Sequence, residues 1–154
     1  MTTLSLDQAA TIVDAALAAG RAENMMPLSV AVLDAGGHLL AFKREDGSGI
    51  LRPQVAIGKA WGALGMGQSS RTLRDRLSDR PSFIGALSTA SDGRFFPVPG
   101  GVLIRNGDGH TLGAVGISGD TSDKDEFCAI AGVKAASLQS DPAEPDPAWA
   151  DSKL

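Results

Sequence analysis

The stretch from Val102 to Ser118, VLIRNGDGHTLGAVGIS, decides the fold. Two apolar runs of strand length, Val102–Arg105 and Thr111–Ser118, flank Asn106-Gly107-Asp108-Gly109. Asn, Gly and Asp tolerate the left-handed backbone that a tight antiparallel connection requires, so the pattern predicts a β-hairpin. Immediately upstream, Phe95–Val98 reads as a further strand, separated from the hairpin by Pro99-Gly100-Gly101. Downstream, Ser118-Gly119 leads into a last helix starting near Asp123, with Glu126 completing a capping box and Phe127, Ile130, Ala131 and Leu138 on one side.

The N-terminal half carries a second hairpin. Leu28, Val30 and Val32 alternate with smaller residues, Asp34-Ala35-Gly36-Gly37 turns the chain, and Leu39–Lys43 returns it. Before it, Ser5 and Gln8 form a capping box for a helix with Leu6, Ala9, Ala10, Val13, Ala16 and Leu17 on its apolar side, ended by Asn24 and Pro27. After it, Glu45-Asp46-Gly47-Ser48-Gly49 is a loop, and Pro53 opens a helix running to about Gly67. Gly58, Gly62 and Gly65 each cost that helix up to about 1 kcal/mol relative to alanine, which predicts close packing against another backbone. Ser70 caps a short charged helix to about Leu77, and Pro81 begins a further turn or two. The expected order is α-β-β-α-α-β-β-β-α. Antiparallel hairpins with helices segregated around them define an α+β domain over 1–138, and no strand-to-helix turn carries a dinucleotide-binding glycine fingerprint. From 139 to 154 a Pro/Asp-rich arm, with prolines at 142, 145 and 147, is expected to be disordered or laid on a neighbouring subunit through Trp149.

Composition narrows the function. With 14 basic against 18 acidic residues the net charge is −4, which argues against a nucleic-acid partner. Arg71, Arg74, Arg76 and Arg80 form the basic cluster, but Asp75 and Asp79 dilute it, so it reads as a solvated helix face. The single cysteine, Cys128, excludes an internal disulfide. No apolar run approaches the roughly 20 residues of a membrane span, and the N-terminus lacks a basic region followed by an apolar one. A cytoplasmic location is the resulting expectation.

Several segments in register resemble the GlcG/HbpS-like family, whose domain is described as haem-binding or haem-degrading. They are Arg44-Glu45-Asp46-Gly47, Ala56-Ile57-Gly58-Lys59-Ala60, Pro99-Gly100-Gly101-Val102 and Leu112–Gly119 followed by Asp125, and the resemblance covers about Leu4 to Leu138. It implies a profilin-like fold, a five-stranded antiparallel sheet with flanking helices, assembled as a homo-oligomer. It also implies links to haem binding and degradation, to the C-terminal part of cobalamin adenosyltransferases, and to operons for small organic acids or aromatic compounds. Two departures stand out: Asp120 follows Ser118-Gly119 where relatives commonly carry a second glycine, and Asp123-Lys124 replaces a Glu-Gln pair.

The candidate chemistry stays open between three classes: tetrapyrrole binding, an enzyme or accessory enzyme acting on a small organic acid, and a structural or regulatory oligomer. Lys59 is either a site lysine that holds a carboxylate or a haem propionate, its pKa lowered toward acid/base work by desolvation, or a lysine whose stem packs while its ammonium reaches water. Asp125 is the acid/base candidate at the start of the last helix, because the resemblance places a carboxylate at that position. Arg44 grips a carboxylate through two parallel bonds or pairs with Asp46 to hold the loop. Gly100 and Gly101 either admit a ligand close to the backbone or form a bend between strands, and Ser118-Gly119 sits at a helix N-terminus that ordinarily favours anions. There, Asp120, Asp123, Asp125 and Glu126 repel an anionic guest, and their order is not that of a calcium loop, so no metal is expected. Haem iron usually takes His, Cys, Met or Tyr. Tyrosine is absent, His38 and His110 fall at hairpin turns, Cys128 reads as core, and Met25, Met26 and Met66 carry no motif. Haem would therefore bind at the surface or between subunits.

Overall fold

The second half of the chain folds around the predicted hairpin. In the computed structural model, which describes residues 2–154, strands at Gly101–Arg105 and Thr111–Ser118 pair antiparallel across that turn. In chain order the elements are α1 (Leu6–Ala22), β1 (Ser29–Asp34), β2 (Leu39–Arg44), α2 (Arg52–Met66), α3 (Ser70–Leu77), α4 (Pro81–Ala90), β3 (Gly101–Arg105), β4 (Thr111–Ser118), α5 (Ser122–Ala135) and β5 (Gln139–Asp141). The strands form one antiparallel sheet in the order β2-β1-β4-β3-β5. The expected five-stranded α+β architecture is therefore present.

Strand alternation divides the core in two. Val30, Val32, Val102, Ile104, Val115 and Ile117 point to the face covered by α1 and α5, where they meet Ile12, Val13, Ala16, Ala129 and Val133. On the opposite face Leu33, Leu103 and Ala114 meet Ala60 and Ala63 of α2. Here the helix lies almost directly on the strands. A Cβ on Gly116 would stand 1.9 Å from the carbonyl oxygen of Ala56, and one on Gly101 2.3 Å from that of Lys59. The close backbone approach expected of α2 is thus realised, but through glycines of the sheet. The helix glycines serve the other side, where Gly58 and Gly62 receive the rings of Phe96 and Phe95.

Two expected features are corrected. Phe95–Val98 is not a strand. It crosses the side of α2 away from the sheet, burying Phe95 against Leu73 and Leu77, and Pro97 and Pro99 remove two of the donors a ladder would need. The fifth strand is instead Gln139–Asp141, which pairs with the free edge of β3. The intervening Pro81 segment also makes a full ten-residue helix.

The remainder of the arm lies on its own chain. Trp149 stacks on Phe127 of α5 with ring centroids 3.7 Å apart and 13° between planes. Lys134 pairs with Glu144 at 2.8 Å, and the hydroxyls of Thr121 and Ser152 meet at 2.6 Å. Replacing Trp149 by alanine is expected to lower unfolding stability by about 1–3 kcal/mol, combining lost burial with the stacked pair. Urea denaturation checks this; an unchanged midpoint would show that the arm is not held by the ring.

Candidate functional site

The most demanding group in the interior is Lys59. The centre of α2 presses it against β4, leaving the residue 2% exposed. Its Nζ donates to the carbonyl of Ile117 at 2.9 Å and to Oδ2 of Asp125 at 3.1 Å. Asp125, 1% exposed in the first turn of α5, accepts the backbone N–H of Asp120 on its other oxygen at 3.0 Å. Burial pushes the Lys59 ammonium down from its ordinary value, with Asp125 opposing the shift. Burial likewise pushes the Asp125 carboxyl up, with Lys59 opposing. The two candidate acid/base residues are therefore brought together, in a place closed to solvent.

Their surroundings account for the glycine motif. Gly100 adopts φ +124°, a backbone open to glycine, and a Cβ there would stand 2.8 Å from Lys59 Nζ. The space that Gly100 and Gly101 leave is filled by the lysine and by the α2 backbone. Ser70, expected to cap α3, instead accepts the Gly101 N–H at 2.7 Å, and Ser69 is the cap. Ser118 is buried, its hydroxyl taking a bond from Arg52 at 3.2 Å, and Gly119 is pressed against the carbonyl of Pro27. Asp120, the departure from the resembled pattern, accepts the N–H groups of Met26 at 2.8 Å and Thr121 at 2.7 Å. It fastens the β4–α5 turn to the segment before β1.

Arg44 and Asp46 lie elsewhere. They line an open cavity of about 530 Å³ with Leu17, Arg21, Pro27, Lys43 and Glu45, and neither Lys59 nor Asp125 is in its wall. Of the two alternatives for Arg44, the pair with Asp46 is not formed: Arg44 donates to the carbonyl of Ser48 at 2.7 Å, which holds the loop. The acid employed is Glu45, which accepts the Leu28 N–H at 2.7 Å and pairs with Arg21 at 2.8 Å. Glu126 does not close a capping box. Thr121 caps α5, and Glu126, wholly buried, meets Arg71 of α3 through a bidentate contact. Burial raises the Glu126 carboxyl, and the Arg71 hydrogen bonds oppose that. Sequence spacing does not reveal this pair, because Arg71 sits among the exposed or half-exposed arginines of α3. Only the approach of α3 to α5 separates it from them.

Among the conventional iron donors, Cys128 is buried beside Met25 and its thiol is pushed up to about 12 by burial. His110 is exposed. His38 is exposed too, with Nδ1 3.1 Å from Asp34. Met66, 37% exposed, stands at the end of α2 in the wall of an apolar cavity of about 210 Å³. No group of three or more His, Cys, Asp or Glu side chains is placed to hold a metal among the described residues, and no described helix is long and apolar enough to cross a membrane.

A small α+β domain with one helix braced on its sheet by a buried Lys–Asp pair is the class of protein defined here. The chain belongs to the HbpS-like haem-degrading protein family, whose model matches residues 4–134. A Citrobacter freundii protein of 15.0 kDa from the dhaT-dhaS intergenic region is 30% identical over 105 residues, 68% of this chain and 72% of that one. The crystal structure of HbpS superposes with a TM-score of 0.74 at 27% identity, covering 87% of this chain and 90% of that one. A complex of PduOC with heme superposes with a TM-score of 0.79 at 24% identity, covering 88% of this chain and 96% of that one, and shares the fold.

Removing one partner of a buried ion pair leaves an uncompensated charge. Lys59→Met is therefore expected to destabilise the protein by about 3–5 kcal/mol. Urea unfolding of the variant checks this, and a loss below about 1 kcal/mol would show that water reaches the pair.

Proposed function

We propose that this protein binds a tetrapyrrole of the haem class at its surface or between subunits, holding it rather than turning it over. The observation that carries the preference for binding is the closure of Lys59 and Asp125. Each is paired with the other and shut away from solvent, so the pair acts as a brace that a ligand does not reach. Membership of the HbpS-like family supports the ligand class, as does the haem held by the structurally similar PduOC. The available donors are compatible with it. Cys128 is sealed off, whereas His38 and Met66 both reach the surface, and the His38 ring is oriented through Nδ1 by Asp34 in the manner of metal-ligating histidines. Bound haem would supply an iron centre and two carboxylates; the chain's part is to seat the ring and pair those carboxylates with its arginines.

A second reading, a small organic acid as ligand, rests on the Arg44 cavity. That guanidinium makes no ion pair with any described carboxylate, and Arg21 and Lys43 share the wall. Titration with haemin followed by absorbance separates the two. A saturable, stoichiometric Soret shift exceeding that of an apolar-patch control protein is the expected outcome. A shift equal to the control would discard the tetrapyrrole reading and make organic acids, with Arg44→Gln as the reporter, the ligands to screen.

Self-association belongs to the same proposal. Ile50 and Leu51, adjacent at the start of α2, are 92% and 70% exposed, an arrangement that favours cover by another subunit. Light scattering at micromolar concentration is expected to give a mass well above the 15.8 kDa of one chain. A mass equal to one chain would overturn the oligomer.

A further inference from the structure

We infer that the groove between α2 and α4 is the seat for this ligand class, a flat aromatic dianion, with Met66 as the chain's donor to a central iron. The inference rests on the tetrapyrrole reading above and goes beyond it by assigning a place. Two cavities adjoin here and share Met66. One, of about 210 Å³, is walled by Trp61, Leu87 and Phe95; the other, of about 310 Å³, by Leu73, Leu77 and Phe83. Pockets for drug-sized ligands run from about 300 to 1,000 Å³, so a macrocycle would span both, across Met66. That thioether is the one His, Cys, Met or Tyr donor in either wall.

Charge points the same way. In an acid-rich chain, Arg76 and Arg80 line this groove and Arg94 lies over its wall residue Trp61, and none of the three makes an ion pair with any described carboxylate. Asp75 is engaged by its neighbour Arg74, and Asp79 and Asp92 are exposed without an ion pair. Two of the three arginines rest on rings, Arg94 over Trp61 at 4.1 Å and Arg80 over Phe83 at 4.3 Å. Guanidinium groups stacked on an apolar wall present their N–H edges to a carboxylate while the wall receives a ring. α4 contributes no fully buried residue and leans on the cluster of Leu73, Leu77 and Phe95 through Phe83, Ile84 and Leu87, so the groove is roofed by a thinly anchored helix.

The test compares haemin and iron-free protoporphyrin IX on the full chain, by Soret titration and by quenching of Trp61 in a Trp149→Phe background. The variants are Arg76→Gln/Arg80→Gln/Arg94→Gln, Ala90→Phe at the groove wall, Met66→Leu and His38→Ala. The triple glutamine variant and Ala90→Phe should each weaken both ligands about tenfold or more. Met66→Leu should alter the haemin spectrum while leaving protoporphyrin affinity within about twofold. His38→Ala should change neither. The arginines are exposed, so their removal leaves the fold intact, which a thermal melt verifies. If the parent binds haemin and the groove variants bind as tightly, or His38→Ala removes binding, the groove is overturned and the tetrapyrrole reading stands. If the parent binds neither ligand beyond the control protein, both fall together.

Discussion

An ammonium group taken out of water must find an anion and enough acceptors, and Lys59 makes that demand at the centre of this fold. Its needs are met from elements far apart in sequence: Asp125 from the start of α5 and the Ile117 carbonyl from β4, with Gly100 leaving the necessary space. The geometry works only because α2 lies nearly in contact with the sheet backbone at Gly101 and Gly116. Side chains at those glycines would lift the helix and separate the charges. Glycine-mediated contact and the buried pair are thus two sides of one constraint, and the turn from β4 into α5 is pinned between them.

The distribution of charge follows from this interior. Asp125 and Glu126 are drawn inward by Lys59 and Arg71, and Asp120 and Glu45 are occupied by backbone N–H groups. Acids are consumed in holding turns and helices together. Arg76, Arg80 and Arg94 are left at the surface without carboxylate partners, beside aromatic rings. A protein of net negative charge therefore presents a locally cationic, apolar groove. Net charge argues against nucleic acid as a partner, yet it says nothing of such local patches, since the acids that balance the sum are turned inward or lie elsewhere.

Much of the site vocabulary was legible as residue identity but not as role. Lys59 and Asp125 were singled out together, and the structure joins them. The residue pattern allows a site lysine or a snorkelling one; the structure shows a third arrangement, a buried lysine bonded to Asp125 and the Ile117 carbonyl. For Arg44 a carboxylate ligand and a pair with Asp46 were both open; the residue ends β2 and donates to the Ser48 carbonyl, a contact that no spacing rule reveals. Glu126 fitted a capping pattern by spacing, and tertiary packing turned it toward Arg71. Met66 is a candidate iron donor by residue type alone, and no motif around it or Trp61 tells that they line one cavity.

By itself the sequence determined the local elements that depend on near neighbours: both hairpins, with their Asp-Ala-Gly-Gly and Asn-Gly-Asp-Gly turns, the Ser5–Gln8 cap and the proline-led start of α2. Those signals lie within a few residues of the structure they specify. Only the tertiary structure decided the fifth strand, because Gln139–Asp141 has no apolar alternation and takes its conformation from the unpaired edge of β3. Phe95–Val98, the more strand-like by composition, finds no edge on its side of α2 and remains irregular. Strand identity at a sheet edge is set by what backbone partner is available, a quantity carried by residues far away in the chain.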